Sequence, residues 1–314
     1  MRYFVLSYNR PDLQITLQSM PPDLLSQIEL MVVPKEYKQY KRGWYASKVK
    51  AIHTWPDYVD CVPKKRHWIA QNAKDDYILI DDDVNLYVWS RKRDKFVRAL
   101  DLPKRFAYEF MEGLPSQFET YASVAAANKF MADPFVRQHG LVKDDSVGFV
   151  MSGFAKGTTK KVQMGCTFVY TDIDLPLQVF QEHKTSCIYY GLCYNHSGVK
   201  ALQNTGTSTY RSDFLKLDSA IRMAVLYQGI ITGAKWNNNK GGGVTLQKWF
   251  NRVKTGVTAA HVNKTQEWLR TICAEHGLRS CPDFYRYDME TPKDYIFQKY
   301  EELWEEKLIK RKRR

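Results

Sequence analysis

The sequence predicts an α/β protein, a mixed and largely parallel sheet flanked by helices, followed by a helical C-terminal part. Three observations carry this expectation. Short apolar runs without polar alternation (3–8, 28–33 and 77–80) read as strands buried on both faces. Segments of helical character lie between them, giving the βαβ alternation of a parallel sheet. At 314 residues with an ordinary apolar fraction of 44%, the chain can bury a substantial core.

Tyr3–Tyr8 reads as the first strand. Pro11-Asp12-Leu13 opens a helix-like segment running to about Met20, with Pro where a first helical turn tolerates it. Ile28–Val33 is a second strand, stopped by Pro34. Pro63–Ala73 reads as a helix and Tyr77–Ile80 as the third strand, with Leu86–Trp89 continuing the pairing after an acidic turn. Further on, Phe118–Met131 has a helical look, with small residues Ala122, Ala125, Ala126 and Ala127 permitting close packing. Val147–Met151 and Val162–Tyr170 read as strands, and Asp213–Tyr227 as a helix. Residues 237–243 read as a mobile loop on composition, and Thr245–Val253, Lys264–His276 and Tyr295–Ile309 as helices.

The formal net charge is +13 and the pI about 9.3. Basic clusters stand at 38–42, 64–66, 91–95, 160–161 and 307–314, many interleaved with Tyr and Trp. A nucleic-acid partner follows, because Lys and Arg release counterions from a polyanion; a generally basic surface is the plain alternative. Trp44, Tyr45, Trp55 and Tyr58 belong to such a basic and aromatic stretch, with core packing expected for most of them. The six cysteines lack CxxC spacing and are expected as reduced thiols. No window approaches ~18 uninterrupted apolar residues and no signal-peptide layout is visible, so no membrane association and a cytoplasmic location are expected.

The chemistry concentrates at two expected strand ends. In Tyr77-Ile78-Leu79-Ile80-Asp81-Asp82-Asp83 an apolar run ends in three carboxylates. Their mutual repulsion is relieved by a hard divalent cation, Mn²⁺ or Mg²⁺, which prefers oxygen ligands. On an extended backbone Asp81 and Asp83 share one side while Asp82 faces away. Such a D-x-D pair can place one carboxylate on a sugar hydroxyl and the other on a metal that bridges a nucleotide diphosphate. At the other end, Ser7-Tyr8-Asn9-Arg10-Pro11 turns from strand to helix, where free N–H groups and Arg10 can meet a base or phosphate. Ligands of parallel sheets bind beyond the carboxyl ends of the strands, where both motifs fall.

These segments, together with Val33-Pro34-Lys35-Glu36-Tyr37, Lys65-Arg66-His67-Trp68-Ile69-Ala70-Gln71-Asn72-Ala73 and Ile80-Asp81-Asp82-Asp83-Val84, follow in the order and spacing of GT-A-fold glycosyltransferases. Within that fold the chain most resembles phage enzymes related to the TET/JBP-associated glycosyltransferases. The resemblance is good over roughly the first ninety residues. Later echoes are Arg211-Ser212-Asp213-Phe214 and the Asn/Gly-rich Asn239-Lys240-Gly241-Gly242-Gly243, which has Gly-Gly-Gly-Val where such sequences read Gly-Gly-Cys.

The resemblance implies a GT-A-like, Rossmann-type core over 1–235, with a Gly-rich loop and helical extension over 236–314. It implies transfer of a hexose or pentose from a nucleotide-diphosphate donor, a UDP-sugar first. The acceptor is the hydroxymethyl oxygen, or an attached sugar, of hydroxymethylcytosine or hydroxymethyluracil in bacteriophage DNA, modified in the cytoplasm of the infected host. Carried over by position, Ser7, Tyr8, Asn9 and Arg10 line the nucleotide pocket, and Arg66 reaches the diphosphate or base. Asp81 and Asp83 hold ribose and metal, with Asp82 in the same motif. Lys240, Gly241 and Gly242 can fold over the diphosphate as a lid, a disordered loop being the equal alternative.

An acceptor hydroxyl must lose a proton if the reaction inverts configuration. Asp213 is the first choice of base and Asp218 the alternate, against a plain helix N-terminal carboxylate. His196 reads as an incidental loop histidine, ahead of a role as ligand or base, and Trp68 as a core residue. The competing reading is a metal-dependent nuclease or nucleotidyltransferase drawing further carboxylates from Asp75, Asp76, Asp144, Asp145, Asp172 and Asp174. A non-catalytic nucleic-acid binder ranks last, because a carboxylate triplet opposes polyanion binding.

Overall fold

The computed structural model describes residues 1–59, 62–129, 132, 136, 139–162, 170–196 and 223, together with the backbone of 231–237 and 241–246. The strands are β1 (Arg2–Leu6), β2 (Ile28–Val32), β3 (Ala51–Thr54), β4 (Tyr77–Asp81), β5 (Val84–Ser90), β6 (Lys95–Arg98), β7 (Ser123–Asn128), β8 (Val142–Asp144), β9 (Met151–Phe154), β10 (Ser186–His196), β11 (Ile231–Asn237) and β12 (Gly241–Leu246). The α-helices are α1 (Ile15–Ser19), α2 (Tyr37–Tyr40), α3 (Val62–Asn72), α4 (Pro103–Tyr108) and α5 (Thr171–His183). Two compact units are distinguished: Met1–Asp60, Lys65–Val162 and Leu175–Thr209 form the first, and Cys61–Lys64, Gln163–Asp174 and Tyr210–Arg314 the second.

The first unit holds a ten-stranded mixed sheet in the order β3-β2-β1-β4-β9-β7-β10-β5-β6, with β8 also on β10. The β3-β2-β1-β4 part is parallel throughout. The central strands are largely apolar because both faces are covered: every residue of β2 is buried, as are the first four of β4. The rest is antiparallel except for β7 beside β10, which makes the sheet mixed. Tyr3, Val5, Leu17, Leu30, Ile78, Ile80, Phe106 and Phe110 belong to one continuous core. Each large apolar side chain buried there contributes roughly 1.5–3 kcal/mol. Where β2 enters, buried Glu29 gathers Arg2 at 2.5 Å, His53 at 2.9 Å and Lys50 at 3.1 Å.

Several expectations are corrected. The expected helix Phe118–Met131 is replaced over 118–128 by a short 3₁₀ turn at Pro115–Glu119 that leads into β7, which is paired on both sides. Its alanines serve close packing, since a Cβ added to Gly148 would collide with that of Ala125. The strand expected at Val147–Met151 begins only at Met151. After the acidic turn, β5 leaves β4 and pairs with β10 and β6. Of the segment expected as a mobile loop, Asn237 and Gly241–Gly243 are paired strand, with Asn237 opposite Gly241 and Trp236 opposite Gly242, and 238–240 lie outside the described residues. The inter-strand bonds satisfy the backbone that glycine side chains cannot shield. The helix expected from Thr245 is strand through Leu246. Residues 163–169, and the helices expected over 213–227, 264–276 and 295–309, lie outside the described residues, Met223 apart. Among the described residues no helix is long and apolar enough to cross a membrane, and Cys187 and Cys193 are buried free thiols.

Candidate active site at the ends of β1 and β4

From β1 the chain moves to β2 on one side, and from β3 it crosses to β4 on the other. The gap above β1 and β4 is therefore a topological switch point, the place where open α/β sheets bind ligands. Leu6 is in register with Asp81, so the loops that follow, Ser7–Pro11 and Asp82–Asp83, meet face to face.

The centre of the site is a buried polar network. Ser7 Oγ donates to Asp82 Oδ2 at 2.5 Å, and Arg10 Nη1 donates to Asp82 Oδ1 at 2.6 Å and to Asp83 Oδ2 at 3.1 Å. Gln14 Nε2 donates to Ser7 Oγ at 2.8 Å and to the Arg10 carbonyl at 2.7 Å. Tyr40 lies 2.8 Å from Ser7 Oγ and accepts the Arg10 N–H at 3.1 Å. With Asp82 ionised, the Ser7 hydrogen points to the carboxylate and the Tyr40 hydroxyl must donate to Ser7. Asn9 takes a left-handed backbone, φ 54°, which Asn tolerates, and its N–H donates to Glu36 Oε2 at 2.8 Å.

Thr16 fixes the acidic turn. Its hydroxyl donates to the Asp81 carbonyl at 2.6 Å and accepts the Val84 N–H at 3.1 Å, while its own N–H donates to the Asp82 carbonyl at 3.2 Å. On the other side of β4, Val150 precedes the Met151 that pairs with Ile80, and its φ is 58°. A β-branched residue there is strained by ~1–3 kcal/mol.

The three carboxylates have different fates. Asp82 is buried, and desolvation pushes its pKa up to about 7 against the pull of Arg10 and Ser7. Asp83 is also partly desolvated, but His196 and Arg10 outweigh burial and hold it below the usual carboxylate range. Asp81 is bound at 3.0 Å by Arg66 Nη2. The side chains of Asp81 and Asp83 are 30% and 26% exposed and form the rim of the site. Two guanidinium groups thus relieve much of the like-charge repulsion that the sequence placed on a metal.

The outer ring is cationic and aromatic. The Tyr8 ring lies 4.7 Å from Lys65 Nζ and 5.7 Å from Lys35 Nζ. Arg66 is buried and its Nε has no hydrogen-bond partner. At the end of β10, His196 is in register with Val84, which brings its Nδ1 to 3.7 Å from Asp83 Oδ1. Among the described residues no three His, Cys, Asp or Glu side chains already converge on one point. A partial site still suits Mg²⁺ or Mn²⁺, which is commonly held by one or two carboxylates, with waters and substrate phosphates filling the other positions.

Ser7, Tyr8, Asn9, Arg10, Arg66, Asp81, Asp82 and Asp83 therefore come together at one switch point. Asp82 faces inward as a structural link, whereas Asp81 and Asp83 face the rim. Gly241 and Gly242 lie in β12 of the second unit. Lys240, Asp213 and Asp218 lie outside the described residues. His196 is not an incidental loop residue but the end of a central strand, brought to Asp83 by the β10–β5 register. Gln14, Thr16, Glu36 and Tyr40 escaped the sequence reading. Glu36 and Tyr40 carried a usable signal: they follow a strand end and sit four apart, a spacing that puts both on one face of a helical turn. Trp68 is only half-buried, edge-on to Trp55.

No family model matches the chain, and no curated protein matches it. Among solved structures it is similar to a protein of Desulfovibrio desulfuricans G20 whose name places it with the nucleotide-diphospho-sugar transferases. The two are 9% identical, with a TM-score of 0.34, over 67% of this chain and 94% of the other. A likeness of that degree lends no residue role to this chain.

Proposed function

We propose that this chain is a glycosyltransferase that moves a hexose or pentose from a nucleoside-diphosphate donor, a UDP-sugar first. The acceptor is the hydroxymethyl oxygen, or a sugar already attached to it, of a modified pyrimidine in phage DNA in the infected cell. The observation that carries the reading is the rim pair Asp81 and Asp83, held at the β1/β4 switch point by Arg66 and Arg10. The DNA acceptor is supported by the +13 charge and by the resemblance of the first ninety residues to phage DNA glycosyltransferases.

In this reading Tyr8, with Lys35 and Lys65 over its ring, offers a face for the base and positive charge for the diphosphate. Asp81 takes a ribose hydroxyl. Asp83 and Asp81 would hold Mn²⁺ or Mg²⁺, with His196 adjacent; when bound, the ion neutralises charge on the diphosphate. The acceptor oxygen bonds to the anomeric carbon as the bond from that carbon to the diphosphate oxygen breaks, and its electron pair leaves with the diphosphate. The acceptor proton passes to a base, for which Asp213, then Asp218, is proposed.

The nuclease reading lacks an observation in its favour. Asp76 is spent on the Lys156 N–H beside the start of β1, and Asp144, in β8, on the Tyr121 hydroxyl. The test is incubation with a nucleotide-sugar panel, Mn²⁺ or Mg²⁺ and hydroxymethylated DNA, followed by mass analysis of the nucleosides. A hexose or pentose gained on the hydroxymethylpyrimidine is expected. Strand cleavage, or label only on unmodified DNA, contradicts the proposal.

A further inference from the structure

We infer that the connection between β2 and β3 is the surface that follows the phosphate backbone of the DNA. The inference rests on the reading of DNA as acceptor and places that partner on named residues. Residues 33–50 carry six cations, Lys35, Lys38, Lys41, Arg42, Lys48 and Lys50, against one carboxylate. That carboxylate, Glu36, is buried and accepts the Asn9 N–H. Lys50 is committed to Glu29 and Lys35 leans over Tyr8. The remaining four, Lys38, Lys41, Arg42 and Lys48, are exposed and form no ion pair among the described residues.

Their arrangement is ordered. Helical dihedrals persist from α2 through Lys41, so Lys38, Lys41 and Arg42 occupy positions i, i+3 and i+4 on one side of the turn. Like charges so placed repel, a cost that a line of phosphates removes. Lys41 lies 5.4 Å over the Tyr37 ring, and Lys48 lies 5.1 Å over Trp44, an indole 44% exposed. The aromatic rings hold these two ammonium groups at the exposed surface, where each can meet a phosphate of the duplex. A membrane surface is disfavoured, because Gln39 and Ser47 share this exposed stretch and no apolar face accompanies Trp44.

The surface is fastened to the candidate active site. The Asn9 N–H donates to Glu36, the Arg10 N–H to the Tyr40 hydroxyl, and the Tyr45 hydroxyl to the Pro11 carbonyl at 2.8 Å. A duplex held on residues 38–48 therefore lies beside the loop that carries Arg10.

The experiment measures affinity for a hydroxymethylated duplex by fluorescence anisotropy across a salt series. It compares the full chain with Lys38→Ala/Lys41→Ala/Arg42→Ala/Lys48→Ala, and with a control, Arg91→Ala/Lys92→Ala/Arg93→Ala. Each lost phosphate contact lowers the log–log salt slope by about 0.9, so the fourfold variant should lose about 3–4 and the control much less. The paired variants Lys38→Ala/Arg42→Ala and Lys41→Ala/Lys48→Ala should each lose about 2 and serve if the fourfold variant folds poorly. An unchanged slope, or an equal loss in the control, overturns the inference. So does binding to vesicles containing phosphatidylserine that depends on the same four residues at a salt concentration where the duplex is released. Donor binding, read by thermal shift without DNA, should persist in the fourfold variant. A parent chain without that shift but with a four-residue salt slope would reject the transferase and keep the surface.

Discussion

Arg10 and Asp82 form a buried ion pair, with Nη1 2.6 Å from Oδ1, that ties the loop after β1 to the turn after β4. The same nitrogen reaches Asp83 at 3.1 Å, so one side chain links the interior of the site to its rim. Removing one partner of such a pair costs about 3–5 kcal/mol, because the other is left buried and uncompensated. Arg10→Ala should therefore lower the unfolding free energy by about 3 kcal/mol in urea titration at pH 8, where Asp82, with a pKa pushed up to about 7, is ionised. Asp82→Asn, which keeps an acceptor for Ser7, should cost less than half of that. Equal costs would contradict the asymmetry.

The pH dependence has a definite sign. Asp82 titrates near 7 in the fold, above its ordinary value, so between about pH 4 and 7 the folded state holds a proton that the unfolded chain has lost. Stability from this group is full below pH 4 and declines as pH rises to about 7. The span corresponds to a change on the order of 4 kcal/mol at most. Asp82→Asn should flatten that decline, so the advantage of the parent chain over the variant shrinks from pH 4 to 7. Glu29 works the other way. Burial opposes its ionisation, but Arg2 and Lys50 outweigh that and bring its pKa to about 2. Its contribution is present above pH 4.5 and lost on acidification, and Glu29→Gln should remove that loss. Unfolding curves at pH 3, 4, 5.5, 7 and 8 measure both.

Thr16 holds the acidic turn through one hydroxyl that serves two backbone groups. Thr16→Val preserves shape but leaves the Asp81 carbonyl and Val84 N–H without that partner, at about 1–3 kcal/mol for each unsatisfied buried group. A loss of roughly 2 kcal/mol with weakened donor binding is expected. Thr16→Ser should restore both. Failure of the serine variant to rescue donor binding would show that the turn is positioned by something else.

His196 and Asp83 are predicted to act together on the divalent ion. His196→Ala should raise the Mn²⁺ concentration needed for half-maximal donor response by about tenfold, the lower end of the effect of losing a supporting partner at a metal site. The same variant should leave duplex affinity unchanged. An unaltered Mn²⁺ requirement would make the 3.7 Å contact with Asp83 incidental.

Three of the four parallel strands were legible because strands buried on both faces are largely apolar, as in Leu30–Val32 and Tyr77–Ile80, whereas β3, with His53 and Thr54 in its four residues, offers no such run. Both loops of the site could be read as strand ends for the same reason. The antiparallel half was not. Ala125–Ala127 favour a helix in isolation, and only the close approach of Gly148 and the pairing of β7 with β9 and β10 make them a strand. The Gly241–Gly243 run gave no local strand signal, because its pairing with Lys235–Asn237 is what orders it. His196 reaches Asp83 through a register between β10 and β5, more than a hundred residues apart in sequence. No local pattern reports such a contact.

The central claim is that Asp81 and Asp83 hold an activated sugar together with a divalent cation, and thermal unfolding across a nucleotide-sugar panel, with and without Mn²⁺, tests it most directly. At 100 times its dissociation constant, a donor should stabilise the fold by roughly 2.7 kcal/mol. That stabilisation should require Mn²⁺ or Mg²⁺ and vanish in Asp81→Asn/Asp83→Asn. A flat response to every sugar nucleotide, or a full response in the double variant, would contradict it.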